Sequence, residues 1–156
     1  MSDSTDDPDG RYDRPLVNHV GQCVADLDES RRFYCELLGF EPEREMALPD
    51  EVAGPFLGVD APVGLTVVYL RRGAFVLELL HFDRPDNPGA ADRRFNEPGL
   101  THLSVSVNDL EAVVARVADL GGTVVSSSPM AAIVRDPDGQ LLELLPMSYR
   151  RRLDGS

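Results

Sequence analysis

The sequence predicts an α+β fold made of one strand–helix–three-strand unit occurring twice. Two observations predict it. A run of chemically matched residues recurs along the chain, and each copy moves from strand-type alternation to a helical stripe and back. Residues 19–28, HVGQCVADLD, correspond to residues 102–111, HLSVSVNDLE, at an offset of 83. Each copy sets an aspartate seven positions after its histidine (Asp26, Asp109), followed by a leucine (Leu27, Leu110). Leu38-Gly39 returns as Leu120-Gly121, and both halves close on LELL, at 77–80 and 142–145. Such self-similarity marks a repeated structural unit.

The elements follow in order. In residues 16–25, Val20 and Val24 fall on one face, with His19, Gly21 and Cys23 on the other. In residues 100–107, Leu103, Val105 and Val107 oppose His102, Ser104 and Ser106. Asp26 reads as a helix N-cap, with Glu29 completing a capping box. Phe33/Leu37 and Tyr34/Leu38 are spaced i, i+4, and Leu110, Val113, Val114, Val117 and Leu120 form one stripe. Gly39 and Gly121 stand at helix C-caps. Short strands then follow at 40–46, 64–71 and 74–82 in the first half, and at 122–126, 130–135 and 140–146 in the second. Asp136-Pro137-Asp138-Gly139 is the turn between the last two. The His-to-Glu spacing is 59 in the first half and 41 in the second. The surplus lies in residues 47–63, whose prolines and glycines read as a long loop over a binding site. The expected organisation is an acidic disordered tail at 1–14, a first module at 15–83, a linker at 84–98, a second module at 99–147 and a tail at 148–156.

Composition excludes several function classes. The chain has 156 residues and a formal charge of −12. That disfavours nucleic acid, which needs a basic footprint. Arg150, Arg151 and Arg152 read as a solvated terminus. No apolar run is long enough for a membrane span, and the acidic N-terminus lacks the layout of a secretory signal, so a cytoplasmic location is expected. Cys23 and Cys35 read as reduced thiols.

Strand parity isolates a candidate site. Each first strand carries a histidine and small residues on the face opposite its valines, which suggests room for a ligand. Glu78 and Glu143 are carboxylates inside otherwise apolar strands, where an uncompensated charge is costly. Two imidazoles and two carboxylates suit one divalent first-row ion: Ni, Co, Mn, Fe or Zn. The expected ligands are His19, Glu78, His102 and Glu143. His81 has the opposite parity to Glu78 and reads as structural. Cys23 shares the parity of His19 and reads as cavity lining. Tyr69 and Arg135 lie on strands within reach of a substrate. Leu80, Phe82 and Leu145 share the parity of the glutamates and suit either cavity walls or core.

The segments VNHVGQCVADLDESRRFYCELLGF, VLELLHF, GLTHLSVSVNDLEAVVARVADLGG and RDPDGQLLELLP resemble the vicinal oxygen chelate superfamily over residues 16–146. That superfamily includes glyoxalase I, methylmalonyl-CoA epimerase, extradiol dioxygenases and the bleomycin and fosfomycin resistance proteins. The resemblance implies paired βαβββ modules whose mixed sheets curl around a metal, with ligands at the positions of His19, Glu78, His102 and Glu143. It also implies a homodimer, and a metal site held within one chain or shared between two. Extradiol dioxygenases use two histidines and one glutamate, so Glu78 points to the glyoxalase and epimerase type of site. The third strand, GLTVVYL, lacks the epimerases' further carboxylate, and Cys23 and Phe82 stand where glyoxalase I carries residues for glutathione. The expected activity is that of a metal-dependent lyase or isomerase acting on a small oxygen-rich substrate through an enolate or enediolate, with Glu78 or Glu143 moving the proton. The alternatives are an Fe(II) dioxygenase of the extradiol type and a resistance protein that binds a natural product or antibiotic.

Overall fold

The computed structural model describes residues 15–84, 92 and 94–153. The acidic segment 1–14 and most of the expected linker lie outside the described residues. The first module contains β1 (Val20–Val24), α1 (Leu27–Arg32), a π-helical continuation (Phe33–Leu37), β2 (Glu41–Leu48), α2 (Asp50–Leu57), β3 (Leu65–Arg72) and β4 (Phe75–Phe82). The second contains β5 (His102–Val107), α3 (Leu110–Arg116), a 3-10 turn (Ala118–Leu120), β6 (Thr123–Ser128), β7 (Ala131–Arg135) and β8 (Leu141–Pro146), followed by α4 (Met147–Leu153). The strands form two four-stranded mixed sheets in matching orders, β1-β4-β3-β2 and β5-β8-β7-β6. The first strand of each pairs parallel to the last, and the remaining pairs are antiparallel. This is the repeated βαβββ architecture that the sequence predicts.

Local chemistry accounts for the helix ends. Asp26 Oδ1 accepts the Glu29 amide at 2.9 Å, and Asp109 Oδ1 accepts the Ala112 amide at 2.9 Å. Each aspartate satisfies a first-turn donor that has no partner inside its helix. The Glu29 carboxylate lies against Gly121, so the expected capping box forms only its Asp26 half. Gly39 and Gly121 adopt φ of 71° and 84°, the left-handed conformation that ends a helix.

Two expectations change. The segment 47–63 is not a plain loop, since it contains α2. Asp50 and Glu51 in its first turn favour the helix dipole. Gly58 closes it in the left-handed conformation, and the buried Ala53 packs with Val63, Leu65 and Val67. Tertiary packing thus overrides the breaker signals of Gly54 and Pro55. The C-terminal segment is not all tail either, because α4 packs against β5 and β8.

The apolar faces of both modules merge into one core. Val24, Phe33, Tyr34, Leu70, Leu77 and Leu79 of the first module join Val117, Val134, Leu142 and Leu144 of the second, all fully buried. Burying each such side chain contributes about 1.5–3 kcal/mol. A Cβ on Gly122 would lie 2.6 Å from both the Phe33 ring and the Arg135 carbonyl. Glycine there allows the modules to close on each other.

The β7–β8 turn completes this contact. Asp136 is 3% exposed. It accepts Tyr34 Oη at 2.8 Å, the Gln22 side-chain amide, and the backbone amides of Asp138 at 3.0 Å and Gln140 at 2.8 Å. Asp138 accepts the Ala25 amide and Ser30 Oγ, both at 2.8 Å. The DPDG segment is therefore both a turn and a latch onto the first module.

Candidate metal centre

The back-to-back packing leaves one face of each sheet turned away from the common core, and these are the faces that carry the four expected ligands. In the first module Gly21 pairs with Glu78 across β1 and β4. His19 immediately precedes β1, and its Nε2 lies 3.2 Å from Glu78 Oε2. A Cβ at position 21 would stand 3.2 Å from that same oxygen, so the absence of a side chain leaves room for the carboxylate. Tyr69 sits opposite Glu78 on β3. Its hydroxyl faces Glu78, and that interaction, then burial, then the carboxylate's charge, push the phenol's pKa up. The Tyr69 ring meets the His19 ring edge-on at 5.6 Å.

The second module repeats the pair more loosely. His102 Nε2 lies 4.0 Å from Glu143 Oε2, and Ser104 Oγ donates to that same oxygen at 2.7 Å. His102 Nδ1 lies 2.8 Å from Thr101 Oγ1, and Phe95 flanks the ring at 5.0 Å. For Nε2 to present a lone pair, Nδ1 carries the proton and donates it to Thr101. The Glu78 side chain is 13% exposed and that of Glu143 33%.

The donor chemistry fits a divalent ion. Adjacent donors, each about 2.1 Å from a first-row metal, lie roughly 3 Å apart, which the His19–Glu78 pair matches. The second pair is wider, and there Ser104 donates to the same carboxylate oxygen. Among the described residues no three His, Cys, Asp or Glu side chains converge. One chain thus gathers the four expected ligands as two separate pairs.

The remaining singled-out residues are accounted for. His81 Nδ1 lies 3.3 Å from the Val24 carbonyl, on the opposite side of β4 from Glu78, consistent with a structural role. Cys23 is exposed on the ligand face, and burial, then Asp138, push its thiol pKa up. Arg135 pairs with Asp92 at 2.9 Å and donates to the Gly139 carbonyl at 2.9 Å. Leu80 and Phe82 pack into the small apolar cluster beneath α2, and Leu145 is buried. Sequence reasoning treated Ser104 only as a small residue. Its alternation with His102 was the available signal for its role at Glu143.

Residues 16–144 match the family model of the Glyoxalase/Bleomycin resistance protein/Dioxygenase superfamily. The chain belongs to this superfamily. A probable lactoylglutathione lyase from Synechocystis is 31% identical over 139 residues, covering 82% of this chain and 92% of its own. Bovine mitochondrial methylmalonyl-CoA epimerase is 30% identical over 99 residues, covering 63% of this chain and 50% of its own. Several of the curated relatives, that epimerase among them, are about twice as long as the stretch they share with this chain. Among solved structures, a trypanothione-dependent glyoxalase I from Leishmania major superposes with a TM-score of 0.65 at 25% identity, covering 90% of this chain and 95% of its own. A glyoxalase family protein from Bacillus cereus superposes at 0.73 with 21% identity, covering 85% and 95%, and supports the superfamily fold. No helix among the described residues is long and apolar enough to cross a membrane.

The Tyr69 contact predicts a first result. Tyr69→Phe should lower divalent-metal affinity about tenfold, as removal of a partner that orients a ligand does. Calorimetric titration with Co(II) reads it. Unchanged affinity would mean that Tyr69 does not orient Glu78.

Proposed function

We propose that this superfamily member is a metal-dependent lyase or isomerase of the glyoxalase type, acting on a small oxygen-rich substrate. Each metal centre takes His19 and Glu78 from one chain and His102 and Glu143 from a second. The observation that carries this reading is the pair of matched His–Glu sets on faces turned away from a shared core. Two chains that appose unlike faces complete two equivalent centres. The lactoylglutathione lyase and epimerase relatives support the reaction class. Glu78, the fourth donor, favours it over a dioxygenase site of two histidines and one glutamate.

A divalent ion held there supplies Lewis acidity to negative charge developing on a substrate oxygen. The chain's own residues do the rest. Glu78, opposite Tyr69 and packed over Gly21, keeps its position. Glu143, more exposed and held through Ser104, takes a proton from the carbon beside the substrate carbonyl and returns it at the neighbouring atom. The half-buried Phe82 and the exposed Cys23 occupy the positions of glyoxalase I's glutathione contacts, so in this reading the cosubstrate is not glutathione.

Protein purified without chelator should hold one ion per chain, and chelation should abolish activity. His19→Ala with its metal still stoichiometric would refute the centre. Assays of 2-oxoaldehydes, acyl-CoA thioesters and catechols with several metals test the reaction, with exchange of the transferred proton for solvent deuterium as readout. Oxygen uptake with catechols would overturn it. Glu143→Gln should cost about 10²–10⁴ in kcat, the usual contribution of a positioned acid–base group.

A further inference from the structure

One ladder row crosses the ligand face of the first module from edge to edge. Gly21 on β1 pairs with Glu78 on β4, Glu78 with Tyr69 on β3, and Tyr69 with Arg44 on β2. Residues paired across strands share a face. The register shifts between Pro42 and Arg44, an irregularity of the kind that re-aims a side chain. The equivalent row of the second module is Ser104, Glu143, Ile133 and Ser126. The two halves therefore share their ligand types and differ in what stands beside them. Only the first row continues into a phenol and a guanidinium.

Arg44 is exposed. Its neighbours on β2 are engaged: Glu43 by Arg71 at 2.8 Å and Glu45 by Arg31 at 2.7 Å. Among the described residues Arg44 has no such carboxylate partner, although the chain carries a net charge of −12. Beyond the irregularity, alternation sends Glu45, the ladder partner of the buried Val68, to the opposite face and leaves Arg44 on the face of the metal ligands, while Glu43 stands at the irregularity itself, held by Arg71. A guanidinium presents donors in a planar fork that matches a carboxylate.

We propose that Arg44, on the strand beside Tyr69, binds a carboxylate of the substrate, so that the centre serves a small oxo or hydroxy acid. The proposal rests on the reading above, in which a substrate oxygen lies beside His19 and Glu78. Strands are about 4.8 Å apart, so the Arg44 column stands two spacings from Glu78. The carboxylate is then separated from the reacting oxygen by a few bonds. A monoanion suits the strip better than a phosphate dianion, whose second charge would be repelled by Glu78.

The test uses the full chain loaded with Co(II) and two probes, acetohydroxamate and the monohydroxamate of succinate. Both should perturb the cobalt visible spectrum, and the carboxylate-bearing probe should bind about 10- to 100-fold tighter, the range for a hydrogen bond to a charged group. In Arg44→Gln that advantage should vanish, with cobalt content and acetohydroxamate affinity retained. Equal affinities in the unmodified chain, or an advantage that survives Arg44→Gln, would overturn the assignment while leaving the metal centre standing. Absence of any spectral response to either probe would overturn the metal reading and this assignment with it.

Discussion

Co-expression of a His19→Ala chain with a His102→Ala chain should restore activity that neither variant has alone. Each variant by itself forms dimers in which both centres lack a histidine. Loss of the ion should reduce activity roughly a thousandfold, given the several kcal/mol that metal charge contributes to a transition state. In a mixed dimer the two substitutions fall together at one centre. The other centre takes His19 from the His102→Ala chain and His102 from the His19→Ala chain, and is intact. Random association makes half the dimers mixed, so about a quarter of all centres recover. Bound metal should recover in parallel. The expectation follows from His19–Glu78 at 3.2 Å and His102–Glu143 at 4.0 Å, each pair within its own module. If both variants are folded and mixing restores neither metal nor activity, the centre is not shared between chains.

The legible part of this fold was its local part. Alternation on β5 separates Leu103, Val105 and Val107 from His102, Ser104 and Ser106, and the structure buries Val107 while packing Leu103 and Val105 on the core. Asp26, Asp109, Gly39 and Gly121 act through their own backbone neighbourhoods, so position in sequence was enough to assign them. The helix α2 was not legible, because a short segment containing Gly54 and Pro55 becomes helical with the help of tertiary packing, in which Ala53 is buried. Parity could assign the four ligands to faces but not say which faces meet. That depends on the fit of Phe33 against Gly122 and on a turn aspartate reaching Tyr34 and Gln22, contacts between residues about 90 to 114 positions apart. Arg44 escaped notice because a single cation in EPEREMAL has no periodic signature. Its meaning comes from its ladder partner, Tyr69.

Asp136→Ala should be among the most destabilising single substitutions outside the apolar core, by about 3 kcal/mol or more. The carboxylate accepts hydrogen bonds from Tyr34, Gln22 and two backbone amides. Bonds to a charged group contribute roughly 1.5–3 kcal/mol each, and a buried donor left without a partner costs a further amount. Tyr34 cannot turn to water, since it is fully buried between Phe33 and Phe40. Burial pushes the Asp136 carboxyl above its ordinary value of 3.8, although its hydrogen bonds pull the other way. A carboxyl raised on folding contributes stability that is complete below its unfolded value and is lost as pH rises through the folded one. The unmodified chain should therefore lose an increment of stability as pH climbs from about 4 through that raised value, and Asp136→Asn should not. Urea unfolding of the two proteins between pH 3 and 7 reads the difference, because carboxylates common to both cancel. A difference that runs the other way would mean that the hydrogen bonds outweigh the burial. Asp136→Ala should in addition loosen the modules from each other, since it removes the bonds by which the β7–β8 turn grips Gln22 on β1 and Tyr34 in the π-helical continuation. His19 and His102 stand on or beside the first strands of the modules so joined. Their metal affinity should fall with the latch, although Asp136 lies in the buried latch and not among the metal ligands.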